Sequence, residues 1–331
     1  MKQKRFYLRW WFIVPAILLA LFVAVMVAWS CNVDFREQVI TLGSISGADA
    51  GAQLRKAALA SVEQRGEDVS YGSRFENGEM DVYAAKGKKL QPLVIYAHGG
   101  YYLMGDKREL APYCKMLASY GYVVANINYM LAPDGKFPTQ ILQVNEAMAY
   151  LLAHAEKYGI DTTRVFIAGD SAGAHLASQM GLYYTNSAFA EKIGDTPAIA
   201  REQLCGVALH CGYYNTDTVR ATGFPMIAES IAMMTGEKEY EGTEAGEAMN
   251  TVAQITPDYP DVYLDCGDQD PFITQAGEMI DALNANGVSV TSYLPVSGET
   301  QLGHEFQMML NTAEGMESME RVAGFLGKRS K

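Results

Sequence analysis

Hydrophobic positions along the chain follow three patterns. From Trp10 to Trp29 they form an uncharged run of 20 residues, ~30 Å long as a helix, which matches a bilayer core. Over residues 32–79 they are scattered among polar residues, with one helical spacing around Ala52–Gln64. That segment reads as a juxtamembrane linker or lid contribution. From Met80 onward, short β-rich runs alternate with longer stretches at helical spacing: Leu93–Ala97, Val123–Tyr129, Val165–Ala168, Leu204–His210, Val262–Cys266 and Val290–Leu294. The alternation predicts an α/β fold with a mostly parallel twisted sheet and helices on both faces.

One connection breaks the rhythm. About 50 residues separate Cys211 from Asp261, far more than a common helix-to-strand link. The pattern predicts a helical cap inserted over the ends of the strands. Phe224–Met234 places apolar residues at helical spacing within it, and methionines there suit an adaptable acyl pocket as well as ordinary cap-to-core packing.

Charge refines the picture at the N-terminus. Lys2, Lys4, Arg5 and Arg9 precede the apolar run and only Arg36 follows closely. The positive-inside bias then puts the N-terminus in the cytoplasm and the large domain outside, with residues 1–31 a single-pass anchor. A cleaved signal peptide or a lipoprotein leader is the alternative. The formal net charge is −12, and with four cations in the leader the remainder is more acidic still, so no nucleic-acid partner is expected. Cys31, Cys114, Cys205, Cys211 and Cys266 form an odd set without metal-site spacing, which excludes a dense disulfide framework. Cys205 and Cys211 would sit ~20 Å apart on one strand, too far to bond.

Candidate chemistry centres on Ile167-Ala-Gly-Asp-Ser-Ala-Gly-Ala-His-Leu-Ala177. Ser171 falls where a strand ends and a helix, Ala172–Tyr184, begins, with Gly169 and Gly173 flanking it. A sharp turn there needs small neighbours, exposes the hydroxyl and leaves the Ala172 N–H at a helix N-terminus, facing a developing oxyanion. Gly267-Asp-Gln-Asp-Pro-Phe272 follows the fifth strand run, and Gly303-His-Glu-Phe306 follows the last. The chain order serine, acid, histidine therefore fits a nucleophile, an orienting carboxylate and a base. Asp270 matches the loop position of such an acid better than Asp268, while Asp265 lies within the strand. At Tyr96-Ala-His-Gly-Gly-Tyr-Tyr102, Gly99 and Gly100 allow close backbone approach and are expected to donate beside Ala172. His98 reads as a loop-ordering residue. His154, on the polar face of a helix, His175, on the helix after Ser171, and His210, near a strand end, suggest no metal site.

With these motifs in view, the chain resembles an exported bacterial α/β-hydrolase related to the hormone-sensitive-lipase-like carboxylesterases. The likeness spans roughly Met80 to Leu326 and rests on His98-Gly-Gly100, Ile127-Asn-Tyr-Met-Leu-Ala-Pro133, Gly169-Asp-Ser-Ala-Gly173, Asp270-Pro-Phe272 and Gly303-His-Glu-Phe306. It implies Ser171, Asp270 and His304 as a catalytic triad, Gly99, Gly100 and Ala172 as the oxyanion hole, the insertion as the cap, and no cofactor. Two departures stand out. Tyr101 replaces a third glycine and Met130 replaces a basic residue. The first moves the loop towards aryl formamidases, an alternative that the expected export disfavours, and a non-catalytic surface-binding module is the third reading. Bulk from the cap, Tyr101 and Tyr102 predicts a preference for acyl groups of roughly two to six carbons.

Overall fold

Alternation within doubly buried strands builds the sheet. Leu93, Ile95 and Ala97 enter the apolar core on one face of the sheet, while Val94 and Tyr96 enter the core on the other. Val165 and Ile167 likewise oppose Phe166 and Ala168. A strand covered on both faces reads as a continuous apolar run, which is why these segments are conspicuous in the sequence.

The computed structural model describes residues 52–296 and 301–329. The apolar run Trp10–Trp29 and Cys31 lie outside them. Among the described residues no helix is long and apolar enough to cross a membrane. The strands are β1 (Val62–Ser70), β2 (Glu79–Ala85), β3 (Gln91–Ala97), β4 (Val123–Ile127), β5 (Ile160–Asp170), β6 (Leu204–His210), β7 (Val262–Asp265) and β8 (Val290–Tyr293). The helices are α1 (Ala52–Ala60), α2 (Lys107–Ser119), α3 (Thr139–Ala153), α4 (Ala155–Tyr158), α5 (Ala172–Thr185), α6 (Ser187–Ile193), α7 (Ile227–Thr235), α8 (Glu244–Met249), α9 (Ile273–Ala285) and α10 (Ala313–Arg329).

The strands form one eight-stranded sheet in the order β1-β2-β4-β3-β5-β6-β7-β8. β1 and β2 pair antiparallel, as do β2 and β4, and the remaining pairs are parallel. The strand order reverses between β3 and β5, the place where an open α/β sheet leaves a crevice at its C-terminal edge. The chain leaves β3 at His98 and β5 at Ser171, one on each side of that crevice.

The N-terminal boundary differs from the sequence expectation. Helix α1 ends at Ala60, and Val62–Ser70 is an antiparallel edge strand of the sheet rather than linker or lid. Its sequence, Val-Glu-Gln-Arg-Gly-Glu-Asp-Val-Ser, buries little, because an edge strand gains its place from pairing and charge rather than from an apolar run. Lys107, 1% exposed, ties it down: its Nζ pairs with Asp68 of β1 and, at 2.7 Å, with Asp81 of β2. The same residue opens α2 and so fixes the far end of the loop that starts at His98.

The long insertion is present, built from α7, α8 and two short 3-10 turns, Val219–Thr222 and Val252–Gln254. Of its methionines, Met234 and Met249 are buried while Met226 and Met233 are exposed.

Candidate active site

Ser171 sits at a backbone corner. Its φ of +51° and ψ of −115° are strained for a non-glycine residue, and such strain persists only where the surroundings impose it. Here the Ser171 N–H donates to the His210 carbonyl at 2.8 Å, and α5 begins immediately afterwards with all residues from Ala172 to Tyr184 buried. The flanking glycines permit the approach. A Cβ on Gly173 would lie 2.0 Å from the Ala97 carbonyl oxygen, and one on Gly169 would lie 2.3 Å from that of Gly173.

The predicted partners converge on the hydroxyl. His304 Nε2 lies 3.0 Å from Ser171 Oγ, and His304 Nδ1 lies 2.8 Å from Asp270 Oδ2. A carboxylate can only accept, so Nδ1 carries the proton and Nε2 is left to accept from the serine. Asp270 is 1% exposed, and its other oxygen accepts from the Phe272 N–H at 2.8 Å. The two loops meet because Gly267 has no side chain, since a Cβ there would lie 2.0 Å from the Leu302 carbonyl oxygen. Asp268 is displaced from this line; its carboxylate accepts from Gln269 Nε2 at 3.4 Å.

The oxyanion side departs from the expected set. The Gly99 N–H donates to Asp170 Oδ2 at 3.0 Å, so it is already committed within the protein. Among the described residues the N–H groups of Gly100, Tyr101 and Ala172 meet no acceptor. The available donors are thus displaced by one residue along the loop. Burial pushes the Asp170 carboxyl well above the usual carboxylate range, and the Glu305 charge adds to the effect, which favours its protonated form. Tyr101 and Tyr102 both adopt φ of +61°. That turn is clamped from two sides: Ser230 Oγ in the cap donates to the Tyr101 carbonyl at 2.5 Å, and the Tyr102 hydroxyl meets His175 Nδ1 at 2.9 Å.

The other histidines have structural partners. His98 stacks on Tyr129 with ring centres 4.4 Å apart and donates from Nδ1 to the Gly99 carbonyl at 2.7 Å, consistent with a loop-ordering residue. His154 is exposed at the end of α3, with Nδ1 2.8 Å from the Tyr150 carbonyl oxygen. His210 forms a second Asp–His pair with Asp265 at 2.7 Å, fully buried, its Nε2 facing the Tyr113 hydroxyl at 3.0 Å. A tyrosine rather than a serine faces the far nitrogen of that imidazole, so the pair resembles His304–Asp270 without a hydroxyl of Ser171's kind. Cys114, Cys205, Cys211 and Cys266 are free thiols. Cys211, Asp270 and His304 bring potential metal-ligand atoms within 4.8 Å of one another. The imidazole and carboxylate are committed to each other there, and burial pushes the Cys211 thiol well above its ordinary range, towards the protonated form that is a poor ligand.

Aromatic rings close the site. Phe224, from the cap, lies 4.7 Å from the His304 ring, with Phe272 at 5.4 Å and Tyr101 5.3 Å from Phe224. The sequence reading assigned no individual role to Phe224, Ser230, Asp170 or Glu305, although all four lie inside stretches it singled out.

A family model described as BD-FAE matches residues 80–280. The chain belongs to the BD-FAE family. The BD-FAE match takes in β2 through most of α9, hence Ser171 and Asp270, while β1 and His304 lie beyond it. The chain is 25% identical over 255 residues to Esterase LipC of Mycobacterium tuberculosis, covering 75% of this chain and 62% of that one. It is also 25% identical over 269 residues to Esterase LipQ of the same organism, covering 78% and 61%. The chain therefore spans about three fifths of the length of these curated relatives. Among solved structures, Esterase B from Lactobacillus rhamnosis superposes with a TM-score of 0.73 at 23% identity, covering 88% of this chain and 97% of that one. A bacterial heroin esterase superposes with a TM-score of 0.66 at 21% identity, covering 89% and 90%. These likenesses carry the α/β-hydrolase fold of this BD-FAE member.

Proposed function

We propose that the protein is a serine carboxylesterase acting on short-chain acyl esters through an acyl-enzyme. The observation that carries this reading is the line Ser171 Oγ, His304 Nε2, His304 Nδ1, Asp270 Oδ2, with separations of 3.0 and 2.8 Å. The names of LipC and Esterase B as esterases support it.

The mechanism follows from the groups in place. Ser171 Oγ attacks the ester carbonyl while His304 Nε2 takes its proton, and Asp270 stabilises the imidazolium. Charge on the carbonyl oxygen is met by the N–H groups of Gly100, Tyr101 and Ala172. His304 then protonates the departing alcohol, and water repeats the sequence on the acyl-enzyme. No step needs a cofactor. The cap, with Phe224 against His304, limits the room for the acyl group and supports a range of roughly two to six carbons. From the sequence alone, Trp10–Trp29 would hold the domain outside the membrane; retention of the full chain in membranes through a carbonate wash supports that placement, and release of a chain beginning near residue 32 overturns it.

The test is hydrolysis of nitrophenyl acetate, butyrate, octanoate and palmitate beside N-formylkynurenine, with the wild type and Ser171→Ala. The expected result is a maximum at acetate or butyrate, lost by three or more powers of ten in the variant. A maximum at palmitate refutes the short-acyl assignment, a dominant formamide rate makes the chain a formamidase, and absence of turnover in the folded wild type makes it a binding module.

A further inference from the structure

Glu305 stands in a position that hydrolysis of a plain ester does not require. It follows His304 directly and holds a φ of +61°, a left-handed conformation that costs a non-glycine residue free energy and points to a local role for the side chain. Its Oε1 lies 3.9 Å from His304 Nε2 and would lie 3.2 Å from a Cβ on Gly99. The carboxylate thus occupies the gap between the base and the oxyanion loop. It is 42% exposed, and its only ion-pair partner among the described residues is His304. Within the same residues it accepts no hydrogen bond. Its neighbour Asp170 is fully buried, with Oδ1 lacking a partner, and the other polar groups that sense the Glu305 charge are Tyr101 and Cys211. An acceptor without a donor among the described residues therefore stands beside His304 Nε2, the atom that would serve the departing alcohol.

We propose that Glu305 is a substrate-binding residue selecting esters of vicinal polyols, by accepting a hydrogen bond from the hydroxyl on the carbon next to the esterified one. The inference rests on the esterase reading above. When His304 Nε2–H donates to the departing oxygen, a hydroxyl on the adjacent carbon sits about one hydrogen-bond length, ~2.8 Å, from that oxygen. An acceptor 3.9 Å from Nε2 is placed to receive it. The same carboxylate repels an anionic alcohol portion, and among the described residues no lysine or arginine pairs with it to offset the repulsion.

A matched series of acetates decides the matter, because the acyl group and its pocket stay constant: ethyl acetate, glycerol monoacetate and O-acetylglycolate, with wild type, Glu305→Gln and Glu305→Ala. In the wild type, kcat/KM for glycerol monoacetate is expected to exceed that for ethyl acetate by about tenfold, the effect of one hydrogen bond to a charged group. That ratio should collapse towards one in Glu305→Ala. Glu305→Gln, which keeps an acceptor and removes the charge, should retain part of the glycerol preference and raise the relative rate on O-acetylglycolate about tenfold. Equal ratios in wild type and Glu305→Ala, with ethyl acetate well hydrolysed, overturn the inference and leave the esterase reading intact. Should Glu305→Ala fail to fold, an unchanged O-acetylglycolate ratio in Glu305→Gln overturns it instead. A folded wild type that cleaves no acetate overturns both.

Discussion

Asp170 Oδ2 accepts the Gly99 N–H at 3.0 Å, joining the end of β5 to the loop after β3 across the crevice. Burial raises the pKa of the carboxyl that makes this bond and so favours its neutral form. Asparagine offers the same acceptor without charge. Asp170→Asn is therefore expected to keep kcat/KM for nitrophenyl acetate within a few-fold of wild type. Asp170→Ala should lose about tenfold or more, since it frees the Gly99 N–H and the loop that presents Gly100 and Tyr101. A larger loss in Asp170→Asn than in Asp170→Ala contradicts the neutral-acid assignment.

Two acids within five residues of the same strand end separate cleanly by position. Asp270 meets His304 at 2.8 Å, whereas Asp268 meets Gln269. Asp270→Asn offers Nδ1 no carboxylate and should lower kcat by about 10³-fold or more with little change in KM. Asp268→Asn should stay within about twofold. Steady-state kinetics on nitrophenyl butyrate compares them, and the reverse ranking reassigns the acid.

His175 links stability to pH. Its Nε2 donates to the Met249 carbonyl at 2.8 Å, so Nδ1 accepts from the Tyr102 hydroxyl, and burial lowers its pKa from 6.5 to about 4. The folded protein thus holds a neutral imidazole that the unfolded chain protonates below its ordinary value. Stability from this group is complete above pH 6.5 and is lost as pH falls towards about 4, by roughly 3 kcal/mol. Asp170, whose folded pKa is raised, contributes with the opposite sign, since its share is present at low pH and lost as pH rises. Urea unfolding of wild type and His175→Gln at pH 7 and pH 5 isolates the histidine: the wild type should lose more stability between the two values. Equal losses contradict the assignment.

Glycines on two helices should respond in opposite directions to alanine. In α5 the Cβ of Gly173→Ala would lie 2.0 Å from the Ala97 carbonyl oxygen, backbone that cannot yield without opening the β3–β5 junction. That variant should be inactive or insoluble. In α9 nothing lies within 4 Å of the position a Gly277 Cβ would occupy. Gly277→Ala should raise stability by about 0.5–1 kcal/mol, read as a higher midpoint in thermal unfolding.

What the sequence discloses of this molecule follows from how each part is held. The strands Leu93–Ala97 and Val165–Ala168 were legible because burial on both faces leaves an apolar run, and Ser171, Asp270 and His304 because successive strand ends deliver them in a fixed chain order. β1 was not, since Val62–Ser70 owes its place to pairing with β2 and to Lys107 bridging Asp68 and Asp81, interactions that leave no periodic trace. The commitment of the Gly99 N–H was not legible either, because the Asp170 side chain intercepts it only once β3 and β5 lie side by side. Likewise, nothing local distinguishes His210–Asp265 from His304–Asp270. Both are Asp–His pairs of similar length with a fully buried carboxylate, and what differs is the exposure of the imidazole and the group facing its far nitrogen, a tyrosine in one and a serine in the other.

The bond from Ser230 to the Tyr101 carbonyl makes the position of the cap and the alignment of the oxyanion loop a single variable. α7 cannot swing away without releasing the carbonyl that holds Tyr101 in its left-handed turn. An ester bulky enough to prop the cap open would thus be admitted to an enzyme whose donors have drifted out of register. On the proposed esterase reading, selection by size would then operate through timing as well as through volume, with a long chain turned away because the catalyst would be assembled only while the door is shut.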